Sequence, residues 1–98
     1  MFDKGDCFGY QQLSVPSTGA VSMTIPVKAT EAALVRTNGG TVRLRLDGTA
    51  PTTAAGFPIF STDTSGFWIY GSGPVQNTQM IATTGTQTVD ILYFGLRE

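Results

Sequence analysis

From residue 20 onward, apolar side chains recur at every second position in short runs. Each run is closed by glycine, proline, asparagine or aspartate. The clearest case is Thr41 to Asp47, where Val42, Leu44 and Leu46 alternate with Thr41, Arg43, Arg45 and Asp47. Successive residues of a strand point to opposite faces, so such a run buries one face and wets the other. Glu31 to Val35 could begin a helical turn but is too short to stand alone. The pattern therefore predicts an all-β chain. The fold expected is a single small antiparallel β-sandwich or flattened β-barrel with an extended N-terminal arm. Its 98 residues leave room for one core and no second domain.

Residues 1–19 have mixed character and end in Ser14-Val15-Pro16-Ser17-Thr18-Gly19. They read as the arm, with one short strand around Gln11 to Val15, and residues 20–98 read as the β-domain. Val21 to Val27 alternates as a strand, and Pro26, which has no N–H, places it at a sheet edge or a bulge. Glu31 to Arg36 and Thr41 to Asp47 flank Asn38-Gly39-Gly40, a turn signal that predicts a β-hairpin because both residue types tolerate positive φ. Further strands are expected at Gly56 to Phe60, Gly66 to Tyr70, Val75 to Ala82 and Thr88 to Phe94. Gly71-Ser72-Gly73-Pro74 is expected to be a turn.

Composition narrows the chemistry. The chain has no histidine, which excludes imidazole as base, shuttle or ligand. Its one cysteine, Cys7, can form neither an intrachain disulfide nor a cysteine-rich zinc site. Serines and threonines abound, yet none has a recognisable base, and Gly71-Ser72-Gly73 lacks the flanks of a nucleophile elbow. Asn38-Gly39-Gly40 is not followed by the Lys-Ser/Thr of a phosphate-binding loop. Asp3, Asp6 and Cys7 match no calcium or zinc spacing, and Asp47 and Asp63 read first as turn residues and only second as a weak calcium pair. No enzyme, cofactor or metal is expected. Net charge is −1, which argues against a nucleic-acid partner. No apolar run approaches the roughly 20 residues that span a bilayer, so no membrane partner is expected either. The opening Met-Phe-Asp-Lys-Gly-Asp has no basic-then-apolar leader, and synthesis in the cytoplasm is the expectation.

What remains points to an interface. Charged residues make up 13% of the chain, against roughly 25% in ordinary soluble domains. Phe67-Trp68-Ile69-Tyr70 and Ile91-Leu92-Tyr93-Phe94 are apolar at consecutive positions, so both faces of each strand carry large side chains. Such a strand needs cover on its outer face, from a loop of its own chain or from another subunit. Phe67, Trp68, Tyr70, Leu92 and Phe94 are the candidate interface residues. Trp68 and Tyr70 alternatively offer a stacking platform for a sugar. Arg43 and Arg45 project from one strand face, either into solvent or toward carboxylates of a neighbouring subunit.

The run Val42-Arg43-Leu44-Arg45-Leu46-Asp47-Gly48-Thr49-Ala50-Pro51-Thr52, followed by Gly56-Phe57-Pro58-Ile59, resembles a pattern in short virion structural proteins of tailed bacteriophages. The likeness extends from about Gln11 through the closing strand Val89 to Phe94. It departs at Leu46, where related chains often carry another aspartate. The resemblance implies a non-enzymatic particle component made in the host cytoplasm and located in the virion. A capsid cement or decoration protein is expected first, and a neck, tail or baseplate accessory second. The partners implied are copies of itself, the major capsid protein and other virion subunits. A homo-oligomer is expected, and a trimer would suit a threefold capsid site. A carbohydrate- or receptor-binding module is the reading from a different class.

Overall fold

The computed structural model describes residues 6–25, 30–62 and 66–95. Eight strands and one short helix follow in order: β1 (Asp6–Pro16), β2 (Val21–Ser22), β3 (Thr30–Thr37), β4 (Thr41–Arg45), β5 (Phe57–Phe60), β6 (Phe67–Tyr70), α1 (Ser72–Asn77), β7 (Gln79–Ala82) and β8 (Thr86–Gly95). They form two four-stranded sheets, ordered β1-β8-β3-β6 and β2-β7-β4-β5, and every strand pair is antiparallel. The expected small all-β sandwich is therefore present. Pairs 1:8, 2:7, 3:6 and 4:5 are those of one long two-stranded ribbon rolled up on itself. That order is a jelly roll.

The core lies between the sheets. Val15, Ala33, Val35, Ile69, Val89, Ile91 and Tyr93 face it from the first sheet, and Val42, Leu44, Ile59, Met80 and Ala82 from the second. The alternation read in Thr41 to Asp47 holds: Val42 and Leu44 are fully buried, and Leu46 packs against the cluster from one side. Each fully buried Val, Leu or Ile contributes roughly 1.5–3 kcal/mol. Tyr93 brings a hydroxyl into this interior, and it donates to Gln11 Oε1 at 2.6 Å. Gln11 Oε1 also accepts from the Thr24 N–H at 3.0 Å. Burial pushes the Tyr93 phenol up to about 12.

Four expectations need correction. First, Asn38-Gly39-Gly40 does not close a hairpin, because β3 lies in the first sheet and β4 in the second. Both edges of β3 are taken by β6 and β8, and both edges of β4 by β5 and β7. The turn residues build a corner between sheets instead. Gly40 has φ +61, Asn38 N donates to Thr88 O at 2.9 Å, and Thr37 Oγ1 donates to Gly39 O at 2.8 Å. Positive φ bends the chain but does not choose the sheet it bends into.

Second, from residue 6 the expected arm is a sheet strand. The short strand placed at Gln11 to Val15 extends in both directions to Asp6–Pro16 and pairs along the whole of β8, with one register shift between Cys7 and Gly9. Third, the strand expected from Val75 begins at Gln79. Residues 72–77 make a helical turn in which Thr78 Oγ1 bonds Pro74 O at 2.6 Å and Val75 enters the core. Fourth, the strand expected over Val21 to Val27 forms a ladder only at Val21–Ser22, at the edge of its sheet. Pro26 and Val27 lie outside the described residues.

Deleting residues 1–16 is expected to abolish the cooperative thermal transition, because β8 loses one partner and Val15 leaves the core. A truncated chain that still melts cooperatively would show β1 to be dispensable.

Candidate functional site

The first sheet has a second apolar face. On β8, Val89, Ile91 and Tyr93 are buried in the core, so Asp90, Leu92 and Phe94 point outward. By the same alternation Ala32, Leu34 and Arg36 of β3 point outward, as do Trp68 and Tyr70 of β6 and Tyr10 and Gln12 of β1. Strand register aligns them in rows across the sheet. Tyr10, Leu92, Leu34 and Trp68 form one row over all four strands. Phe94, Ala32 and Tyr70 form the next. On the other side of the first row lie Gln12, Asp90 and Arg36.

Ring packing makes the face continuous. Trp68 and Tyr70 stack with centroids 5.9 Å apart and planes at 12°, and the Trp68 and Phe94 centroids are 5.2 Å apart. Trp68 and Phe94 thus meet across β3, where Ala32 is 0% exposed. Tyr10 and Tyr70, at opposite sides of the sheet, remain 60% and 54% exposed. The helix α1 does not cover this face, since its Val75 packs into the core.

The polar row is organised by Asp90. Its Oδ1 accepts from the Tyr10 hydroxyl at 2.6 Å and Gln12 Nε2 at 3.3 Å, and its Oδ2 from Asn38 Nδ2 at 2.8 Å. The Tyr10 bond, then the Asn38 bond, hold the Asp90 carboxyl below the usual range, with a smaller contribution from the Arg36 charge. The same Tyr10–Asp90 bond raises the Tyr10 phenol.

Of the residues singled out in the sequence, Trp68, Tyr70, Leu92 and Phe94 come together here. Phe67 does not: it faces inward, with its ring 5.1 Å from that of Phe57. Arg43 and Arg45 lie on the other sheet, and both are engaged within the chain. Arg43 Nε donates to Thr53 O at 3.2 Å and Nη1 to Gly56 O at 3.0 Å, which ties down the loop between β4 and β5. Arg45 pairs with Asp47, whose Oδ1 also accepts from Thr49 N at 3.1 Å. That pair holds the Asp47 carboxyl low.

Asp47 thus serves its own turn, while Asp63, its proposed calcium partner, lies outside the described residues, as does Asp3. Cys7 is exposed. Among the described residues no three acidic, cysteine or histidine side chains come together. Sequence reasoning missed Tyr10, Leu34, Arg36 and Asp90. The strand expected at Glu31 to Arg36 is apolar at four consecutive positions, which carried the signal for Leu34 on a second apolar face, but nothing local placed Tyr10 beside Leu92.

No family model, curated protein or solved structure matches the chain.

Two variants check these assignments. Arg43→Ala is expected to lower stability by roughly 1–3 kcal/mol, because two carbonyls of the loop lose a charged donor; denaturant unfolding measures it. Asp90→Asn addresses acid stability. A carboxyl with a lowered folded pKa contributes stability that is complete above its unfolded value of 3.8 and is lost as pH falls through the folded value. The melting temperature of the variant is therefore expected to fall less steeply than that of the wild type below about pH 4.

Proposed function

We propose that this chain is a non-enzymatic structural component of a tailed-phage virion, a capsid cement or decoration protein that holds the particle together through contacts between subunits. The observation that carries the reading is the outer face of the first sheet, apolar across all four strands. An apolar face of this extent supports a binding role, since rings and aliphatic side chains recognise other apolar surfaces. Low overall charge supports the same reading, as does the resemblance of residues 42–59 to virion proteins. Jelly rolls host capsid domains, but they also host lectins and cupins, so topology alone supports assembly no more than sugar binding. Many weak contacts on a particle add by multivalency, so no single face has to bind tightly.

One observation favours a second reading. Trp68 and Tyr70 present near-parallel rings on β6, the strand at the side of the sheet, and such a pair suits stacking against a sugar.

The deciding measurement is the copy number of the chain in purified phage particles by quantitative mass spectrometry. A number comparable to that of the major capsid protein is expected. A handful of copies would transfer the role to the neck, tail or baseplate, and absence from the particle would overturn the virion reading. Trp68 is the single tryptophan, so glycan-dependent quenching of its fluorescence would move the sugar-binding module to first place.

A further inference from the structure

The outer face of the first sheet is complementary to itself. Two sheets pack face to face about 10 Å apart with their strand directions aligned. A two-fold axis between two such faces, parallel to the strands and midway between β3 and β8, sets β8 of one copy over β3 of the other. It leaves every cross-strand row opposite the same row. In the polar row Asp90 then faces Arg36 of the second copy, and symmetry repeats the pair. In the next row Leu92 faces Leu34, and beyond it the rings that cover Ala32 in each copy, Phe94 among them, meet those of the other. Charge meets opposite charge, and apolar rows meet apolar rows. The alternative two-fold, perpendicular to the strands and centred on Leu92, sets Asp90 over Phe94 and loses the charge match.

We infer that the chain pairs with a second copy of itself through this face, with two reciprocal Arg36–Asp90 ion pairs at one end of the contact. The inference rests on the reading of the face as an assembly surface. Both charged groups have capacity for the bond. Arg36 is exposed. Asp90 accepts three donors, against about four lone-pair sites on an ionised carboxylate.

Size sets the strength of the pairing. Four strands and three outward rows at ordinary sheet spacings span roughly 400 Å². A standard stable interface takes about 800 Å² from each partner. The pairing is accordingly weak and concentration-dependent, as suits one contact among several on a particle.

Sedimentation equilibrium of the full chain from micromolar to millimolar concentration tests it. The wild type is expected to show a monomer–dimer equilibrium. Arg36→Asp and Asp90→Arg are each expected to raise the dissociation constant at least about tenfold, through like charges brought face to face. An equimolar mixture of the two variants is expected to recover dimers, because each reversed side chain then meets an opposite charge. Melting curves establish that the variants fold. Should Asp90→Arg not fold, Asp90→Asn keeps an acceptor for Tyr10 and is expected to weaken the dimer and remove its salt dependence. A wild type that stays monomeric, reversed variants that associate as tightly as the wild type, or a mixture that stays dissociated would each overturn the pairing. None of these outcomes touches the virion reading, which copy number in the particle decides.

Discussion

Strand β8 is bonded along both edges, to β1 over residues 6–16 and to β3 over residues 30–37, and the first sheet takes its order from that double ladder. Because strand side chains alternate, one register assigns Val89, Ile91 and Tyr93 to the core and Asp90, Leu92 and Phe94 to the outer face. A slip of one residue would exchange the two sets and put Asp90 between the sheets, where an unpaired carboxylate costs several kcal/mol. The Tyr93–Gln11 bond strengthens the same choice, since a buried hydroxyl without a partner is costly. Both the core and the candidate interface therefore follow from one pairing. They cannot be altered independently along this strand.

That pairing joins the two ends of the chain. Tyr10 and Asp90 are 80 positions apart, and Gln11 and Tyr93 are 82 apart. Contacts of such separation form only after the chain has met a large closure entropy, which makes folding slow and leaves apolar strands exposed meanwhile. In the rolled ribbon the strand pair nearest in sequence is β4 with β5. Arg43 spans that connection from its strand to two carbonyls of the loop. The arginine thus stabilises the short-range end of a ribbon whose other end depends on β1 meeting β8.

Local chemistry was legible in the sequence and long-range pairing was not. Alternation in Thr41 to Asp47 identified a strand and its buried face, because that pattern depends only on the pleat. The consecutive apolar residues of β6 and β8 likewise announced two apolar faces. Asn38-Gly39-Gly40 announced a bend but carried no information about the sheet that receives the next strand. Residues 6–16 showed no more than a short strand around Gln11 to Val15 because β1 is a strand by virtue of β8, and its polar positions Gln11 and Gln12 bond side chains far away in sequence. Val75 read as strand because a single buried apolar residue fits a helical turn equally well. Arginine spacing gave the strand face correctly, yet it could not show that both guanidinium groups are engaged by their own chain.

The two outer faces of the sandwich differ in how charge is arranged on them. The second sheet turns Thr41, Arg43 and Arg45 outward among Pro58, Phe60 and Ile81, and Arg43 draws its own loop toward that face. The first sheet turns outward rings and aliphatic side chains, with its charges confined to one row. A monomer gains nothing from the first sheet's arrangement, since apolar area left in water offsets part of what the core contributes and invites non-specific association. The polar row counters that tendency in a specific way. A docked surface must satisfy Arg36 and Asp90 as well as cover Leu34 and Leu92, and a surface lacking the matching charges would leave them desolvated and unpaired. On the assembly reading, the apolar rows supply attraction and the single charged row supplies selectivity. It is the pairing of these rows within one face, more than the amount of apolar surface, that distinguishes a designed contact from a merely sticky one.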